Sequence, residues 1–562
     1  MRILLSVLTV ILVCTVEAQD TGKFFPTFFI KYGSTPQVTQ SAAVSAKFDM
    51  VISSTGYYNL WSESGMNSWK TLKKYNPDMV IAIYQLGPSE YNTSGWGVLG
   101  DGWDWIRLNH GSGAGADRWT GSGHKFDYLA NVSYPNERCM YLGHPGWQAY
   151  WVDKLYEYYW INNASNYAGV DAIFSDNTFY KVAWANNWYE EGNTGVASFK
   201  DHPKDYSTID GIYDNAKYKV DAKAFFNFAV PRMQSKAVPI KIIPNFGYMG
   251  TNPEYWSDLD TLAHPPFAAM EEGSFVNPWS KTYNMYDWLA KVNAMKKLKN
   301  VAAVMNNIGK VPTGTGLAKM DVVMTEGNYG PSTGWEVLWY TMNSFLLALN
   351  ESKTNGYYSF NVWGYGAYYW LDEYDPQYLH LGKPLADYYI PSSGAAKDVA
   401  FREYEDGWVV ANVSQTPAKT SIPVPSGKAY IVTHSNLRDP YSGPLVTSFN
   451  LGKNRGVILL KEGKRIGNED NIYPVSVAKK YISARDVVIY PNPCSSSFTI
   501  SGRDEMKEIM VTNILGKKIL QIKPGSKVFT IDASAFPEGM YIIHDISNGN
   551  RVMGKVLKKN AL

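Results

Sequence analysis

Between residues 24 and 361 the chain alternates short apolar runs with longer segments whose apolar residues recur at helical spacing. That alternation restricts it to folds built from βα units around a parallel sheet. The runs at 24–30, 50–52, 79–84, 170–174, 240–243, 267–270, 301–305 and 357–360 read as strands. A ninth run, 139–141, is assigned to a loop because it comes just before a helix that itself precedes the strong 170–174 run. Segments 147–160, 215–233, 286–298 and 335–349 carry apolar residues at i, i+3 and i+4 and read as helices. Eight βα units over this length predict an α/β chain folded as a (β/α)8 TIM barrel with long loops. A doubly wound open sheet is the alternative. It usually brings a glycine-rich phosphate turn after its first strand, and Tyr32-Gly33-Ser34-Thr35-Pro36 is not one.

The chain has 562 residues, more than one compact core usually serves, and its pattern changes on both sides of the barrel. At the start, Arg2, the apolar stretch 3–13 and Val16-Glu17-Ala18 read as a signal peptide over residues 1–18, with the mature chain beginning at Gln19. Cys14 follows Val13, which is bulkier than the residue expected before a lipidated cysteine. The barrel is assigned to residues 19–395. Residues 396–461 switch to period-two alternation with frequent turns and predict a small β-sandwich. A polar linker covers 462–485, and 486–562 form a second all-β module. With 45% hydrophobic and 19% charged residues and a net charge of +2, neither disorder nor a polyanion partner is implied, so no nucleic acid is expected. No stretch of the mature chain is long and apolar enough for a transmembrane segment. Cys139 and Cys494 fall in different predicted domains, so neither a disulfide framework nor a metal or other cofactor site is expected.

The last module resembles the type A sorting domain of the type IX secretion system of Bacteroidetes-type bacteria, an immunoglobulin-like fold. The resemblance rests on Val488-Ile489-Tyr490-Pro491-Asn492-Pro493, Asn513-Ile514-Leu515-Gly516-Lys517-Lys518, Gly539-Met540-Tyr541-Ile542 and the basic end Lys555-Val556-Leu557-Lys558-Lys559. It implies the type IX secretion machinery as a partner, passage through the outer membrane, removal of the module, and release or surface attachment. Residues 24–460 resemble the hypothetical glycoside hydrolases with TIM-barrel catalytic domains. That likeness is carried by Asp104-Trp105-Ile106-Arg107-Leu108-Asn109-His110-Gly111, His144-Pro145-Gly146-Trp147, Gly169-Val170-Asp171-Ala172-Ile173-Phe174-Ser175-Asp176-Asn177 and His380-Leu381-Gly382-Lys383-Pro384-Leu385. It implies a carbohydrate substrate, to which 19 Trp and 41 Tyr are suited as stacking surfaces.

Cleaving a glycosidic bond commonly takes two carboxyl groups, one protonating the leaving oxygen and one attacking carbon or activating water. In a barrel they belong at C-terminal strand ends. Asp176 follows the 170–174 run, and aligning Ile173-Phe174-Ser175-Asp176 with Ala269-Met270-Glu271-Glu272 puts Glu272 in the equivalent place, with Glu271 as the alternate. Adjacent carboxylates raise one another's proton affinity, which suits an acid. Lys31, Gln85, Asn245 and Asn306 follow other runs and are expected to hydrogen-bond sugar hydroxyls, while Trp103, Trp105, Trp147 and Trp363 are expected to stack on the substrate. Gly330-Pro331-Ser332-Thr333-Gly334 matches a nucleophile elbow, but no strand precedes it, and Thr333 with Glu336 reads as a helix capping box. The expected activity is hydrolysis of an extracellular poly- or oligosaccharide. The alternative is a non-catalytic glycan-binding or adhesive surface protein on the same scaffold.

Overall fold

The computed structural model describes residues 23–32, 39–87, 90–91, 129–131, 137–138, 142–181, 188–190, 215–276, 285–309, 317–323, 331–362, 365, 368–413, 418–467, 487–513, 517–546 and 551–559. The signal-peptide reading, the 104–111 motif, Trp103, Trp105, Trp363 and Cys139 lie outside these residues, as does most of the assigned linker. Two compact units divide the chain, Met1–Val475 and Ser476–Leu562.

In the first unit each of the eight apolar runs forms a strand: β1 Phe28–Lys31, β2 Met50–Ser53, β3 Val80–Leu86, β4 Ala172–Asp176, β5 Lys241–Pro244, β6 Ala268–Glu272, β7 Ala302–Ile308 and β8 Gly356–Asn361. The strands extend past the apolar runs, mostly into polar residues, because a hydrophobicity pattern stops where the strand ends turn polar. β1 to β5 pair in parallel in chain order, and so do β6 to β8. Parallel bridges Asn245↔Met270 and Thr27↔Tyr358 join the two sheets at both edges, so the order β1 to β8 returns to β1. Phe246 N–H donates to the Met270 carbonyl at one seam, and Tyr358 N–H to the Pro26 carbonyl at the other, at 3.0 and 2.9 Å.

Alternate residues of these strands split between two cores, as a period of two requires. Phe28, Ile30, Met50, Ile52, Ala82, Phe174, Ile243, Met270 and Val304 share the inner cluster. Phe29, Val51, Ile81, Ile83, Ile173, Ile242, Ala269 and Met305 face outward to the helices. Between β3 and β4 the chain forms a helix at Pro145–Tyr156, here α1. His144 caps it by accepting from the N–H groups of Gly146 and Trp147, and Pro145 takes the first turn, where no donor is needed. Asn215–Gln234 follows β4 as α2, and Met285–Lys297 follows β6 as α3. Gly334–Ala348 precedes β8 as α4, started by the Thr333–Glu336 capping box that the sequence predicts. Pro253–Asp260 forms a shorter helix between β5 and β6.

Nearly every residue of α4 is buried, where a surface helix would bury one stripe, because a second layered element covers its outer side. That element is a pair of antiparallel sheets. Val399–Glu403, Gly407–Asn412, Ala429–Val432, Leu445–Val446 and Gly456–Lys461 form one, and Lys419–Pro423 with Ser448–Leu451 the other. Ala400, Val409, Ala411, Ile458 and Leu460 join the core shared with the helices, while Val399, Phe401, Val410, Val457 and Leu459 fill the space between the sheets. Arg402, buried on the helix-facing side with Ala400, ends α4. Its guanidinium donates to the carbonyls of Leu346, Leu347 and Leu349 at 2.9, 3.2 and 2.5 Å and to that of Ala386 at 3.0 Å. These are carbonyls a helix end leaves without partners, at the negative end of its dipole. Arg402→Met is expected to destabilise the first unit by about 2–4 kcal/mol in denaturant unfolding, and Arg402→Lys to recover little of that, since one ammonium does not reproduce the fork.

The second unit is all-β. Val487–Tyr490, Ser497–Met506 and Ser526–Asp532 form one antiparallel sheet, and Ile509–Asn513, Lys518–Ile522, Gly539–Asp545 and Arg551–Lys558 the other. Phe498, Ile500, Ile509, Val511, Ile531, Ile543, Val556 and the thiol of Cys494 lie between them. The motif residue Asn492 bonds to the carbonyl of Lys555 and the N–H of Leu557, tying the start of the module to its basic end.

Candidate active site

Counting by twos from the inner cluster brings one set of polar residues to the C-terminal strand ends: Tyr32 after β1, Tyr84 on β3, Asp176 on β4, Asn245 after β5, Glu272 on β6, Asn306 on β7 and Asn361 on β8. Asn245 sits between the two carboxylates. Its Nδ2 donates to Asp176 Oδ1 at 2.9 Å and to Glu272 Oε2 at 3.0 Å. Since neither bond exceeds 3.0 Å, the two bridged oxygens lie within about 6 Å of each other. Asp176 Oδ1 also accepts from the N–H of Asn177 at 2.9 Å, and Oδ2 from the Tyr84 hydroxyl at 2.8 Å. Tyr365, just beyond β8, donates its hydroxyl to Glu272 Oε1, and its ring lies 5.3 Å from that of Tyr32.

Burial pushes the Glu272 carboxyl up to about 7; the nearby Asp176 adds to the rise, the Asn245 bond opposes it, and Glu271 contributes least. The adjacency of Glu271 is therefore the smallest cause. Burial also raises the Tyr32 hydroxyl well above its ordinary value, and Asp176 and Glu272 add to that rise. The backbone around the pair is constrained. A Cβ on Gly87 would stand 2.0 Å from the carbonyl oxygen of Asp176, so only glycine lets β3 and β4 end this close together. Asn177 and Tyr248, each just past a strand end, take φ of 52° and 59°. Left-handed backbone in a bulky residue such as Tyr248 costs about 1–3 kcal/mol and collects at functional sites.

Four other expected residues fall on the wrong side of their elements. Glu271 faces the helices, where its carboxylate pairs with Lys291 Nζ at 2.9 Å and accepts from the Met249 N–H at 3.0 Å. Gln85 also points outward, with its Oε1 3.4 Å from the Tyr159 hydroxyl. Lys31 follows the inward Ile30 and so leaves the interior; its ammonium lies 5.7 Å from the centre of the Tyr57 ring, and burial lowers its pKa to about 8. Trp147 is enclosed in the outer core among the helices, where it stacks on Tyr150, away from the inward-facing strand ends. The residues overlooked are Tyr32, Tyr84, Asn361 and Tyr365. The first three share the parity of the inward apolar residues, a signal present in the sequence.

Other motif residues serve the fold. Asp171 accepts from the Ile81 N–H at the opposite end of β4 and pairs with Lys73, and His380 holds the turn at Gly382 through its Nδ1. Among the described residues no group of three or more His, Cys, Asp or Glu is arranged to hold a metal ion.

Residues 488–559 match the family model of the secretion system C-terminal sorting domain. The match marks the chain for export, and no helix among the described residues is long and apolar enough to cross a membrane. No curated protein matches the chain. Solved structures give faint likenesses. PorZ, a surface component of the type IX secretion system of Porphyromonas gingivalis, is 12% identical over 32% of this chain and 30% of its own length, with a TM-score of 0.13. A Cellulomonas fimi endo-beta-1,4-mannanase is 11% identical over 96% of this chain and 94% of its own, with a TM-score of 0.28. A Bacteroides uniformis beta-glucuronidase 2 is 8% identical over 96% and 46%, with a TM-score of 0.31. Scores of this size do not establish a shared fold.

Proposed function

We propose that this chain is an exported glycoside hydrolase of the retaining type, built on a (β/α)8 barrel and acting on an extracellular poly- or oligosaccharide. The observation that carries the reading is the single amide of Asn245 bound to both Asp176 and Glu272. It holds the two carboxyl groups, on the strands either side of β5, with their bridged oxygens within about 6 Å of each other, closer than the roughly 6.5–9.5 Å that an inverting pair needs to admit water, which favours the retaining arrangement. The roles follow from the surroundings. Glu272, with its raised pKa, protonates the leaving oxygen and then, as a base, activates water. Asp176, an acceptor in three hydrogen bonds that fix both its oxygens, attacks the anomeric carbon. The parallel order closing on itself supports the barrel, since active sites of such barrels lie at the C-terminal strand ends.

Assay of the purified protein against a panel of polysaccharides and 4-nitrophenyl glycosides tests this reading, with the product anomer followed by NMR. Hydrolysis with retained configuration is expected, and hydrolysis with inversion contradicts the assigned roles. Binding of glycans without any turnover would favour the adhesive alternative. The sorting tail supports delivery by the type IX machinery to the cell surface or medium. Deleting residues 487–562 is expected to leave the first unit folded but retained in the cell envelope, which fractionation reads directly. Normal appearance of the truncated protein outside would count against that role.

A further inference from the structure

Asn306 and Asn361 are both fully enclosed, on neighbouring strands β7 and β8, and Asn306 is the register partner of Glu272. The Nδ2 of Asn361 donates to the Oδ1 of Asn306 at 2.5 Å. That bond uses one half of each amide. Asn306 Nδ2 and Asn361 Oδ1 have no partner among the described residues. Exchanging the oxygen and nitrogen of both amides again leaves one donor and one acceptor, so the pattern does not depend on how the amides are oriented. Buried polar groups are nearly always matched, and an unmatched donor and an unmatched acceptor on two bonded amides, in register with Glu272, ask for a ligand group.

We infer that the Asn306–Asn361 amide pair reads one hydroxyl of the sugar bound at Asp176, and so sets which sugar the site accepts. The inference rests on the glycosidase reading. The chemistry selects the group. A hydroxyl donates one hydrogen bond and accepts others, so it answers Asn361 Oδ1 and Asn306 Nδ2 together. A carboxylate only accepts and an ammonium only donates, so either would leave one amide atom unmatched. A sugar that is deoxy or acylated at this position loses the match. Sites that pair a substrate hydroxyl reject the analogue lacking it far more strongly than apolar pockets reject a missing methylene.

The test uses the full chain and the 4-nitrophenyl glycoside it hydrolyses, compared with the 2-, 3-, 4- and 6-deoxy forms of that glycoside. In the parent protein one deoxy form is expected to lose about a hundredfold or more in kcat/KM. In the Asn306→Leu/Asn361→Leu double variant that penalty should shrink below about tenfold while the other ratios stay put, a change that general damage to the fold does not produce. Asn306→Asp, which keeps the acceptor of the internal bond but replaces the unmatched donor, provides a second variant should the double one melt early, and should lose the same selectivity. Turnover with unchanged selectivity in both variants overturns the amide-pair inference alone. Failure of the parent protein to hydrolyse any glycoside removes the glycosidase reading and this inference with it.

Discussion

Asp176→Asn and Glu272→Gln are each expected to lower kcat by at least about a hundredfold, with thermal melts showing the fold intact. General acid–base catalysis alone is worth about 10²–10⁴-fold, and losing the nucleophile costs more, so Asp176→Asn is the deeper defect. A small anion such as azide should restore part of the turnover of an activated glycoside in Asp176→Asn, because it can attack the anomeric carbon in place of the missing carboxylate. Glu271→Gln is the internal control. It keeps the shape but breaks the buried pair with Lys291, so it is expected to lower stability by about 3–5 kcal/mol and leave the kcat of the folded protein within about tenfold. A dead but stable Glu271→Gln protein would mean that the outward carboxylate takes part in the chemistry.

Glu272 should also set the pH behaviour of both activity and stability. As the acid it must carry a proton, so kcat/KM should fall about tenfold per unit above its pKa of about 7. The stability effect runs the same way. The folded pKa lies above the ordinary value of 4.5, so the contribution of this group is fully present below about 4.5 and lost as pH rises through about 7. Gln at this position does not titrate. Above pH 8, Glu272→Gln should therefore be more stable than the parent by about 3 kcal/mol, and below pH 4 the difference should vanish. A catalytically dead protein that is more stable at alkaline pH is the expected mark of a carboxyl group kept in a poor environment for its charge. Equal stability at all pH values would mean that Glu272 is well solvated.

The strands were legible because apolar runs of three to seven residues between helical-period segments have few other uses. Their ends were less legible for a reason that concerns function. β4, β6 and β7 continue into Ser175-Asp176, Glu271-Glu272 and Asn306-Asn307, where hydropathy signals a loop but the ladder persists. Aligning the ends of β4 and β6 matched residues of equal parity, which is why Asp176 and Glu272 face each other. Taking the first polar residue after a run, without counting parity, gave Lys31 and Gln85, which face the helices, where Tyr32 and Tyr84 face the site. Trp147 could not be placed from composition, since a helix turned by one residue exchanges a buried ring for an exposed one. Tyr365 lies beyond the last strand, where no periodicity predicts its direction.

If Asp176 is the nucleophile, it becomes glycosylated during turnover, and that bond can be observed. The protein would be quenched while turning over an activated fluorosugar glycoside, and its peptides analysed by mass spectrometry. A glycosyl adduct is expected on the peptide bearing Asp176, absent from Asp176→Asn and accumulating in Glu272→Gln. An adduct on any other carboxylate, or steady hydrolysis by Asp176→Asn at the parent rate, would rule out the assigned pair.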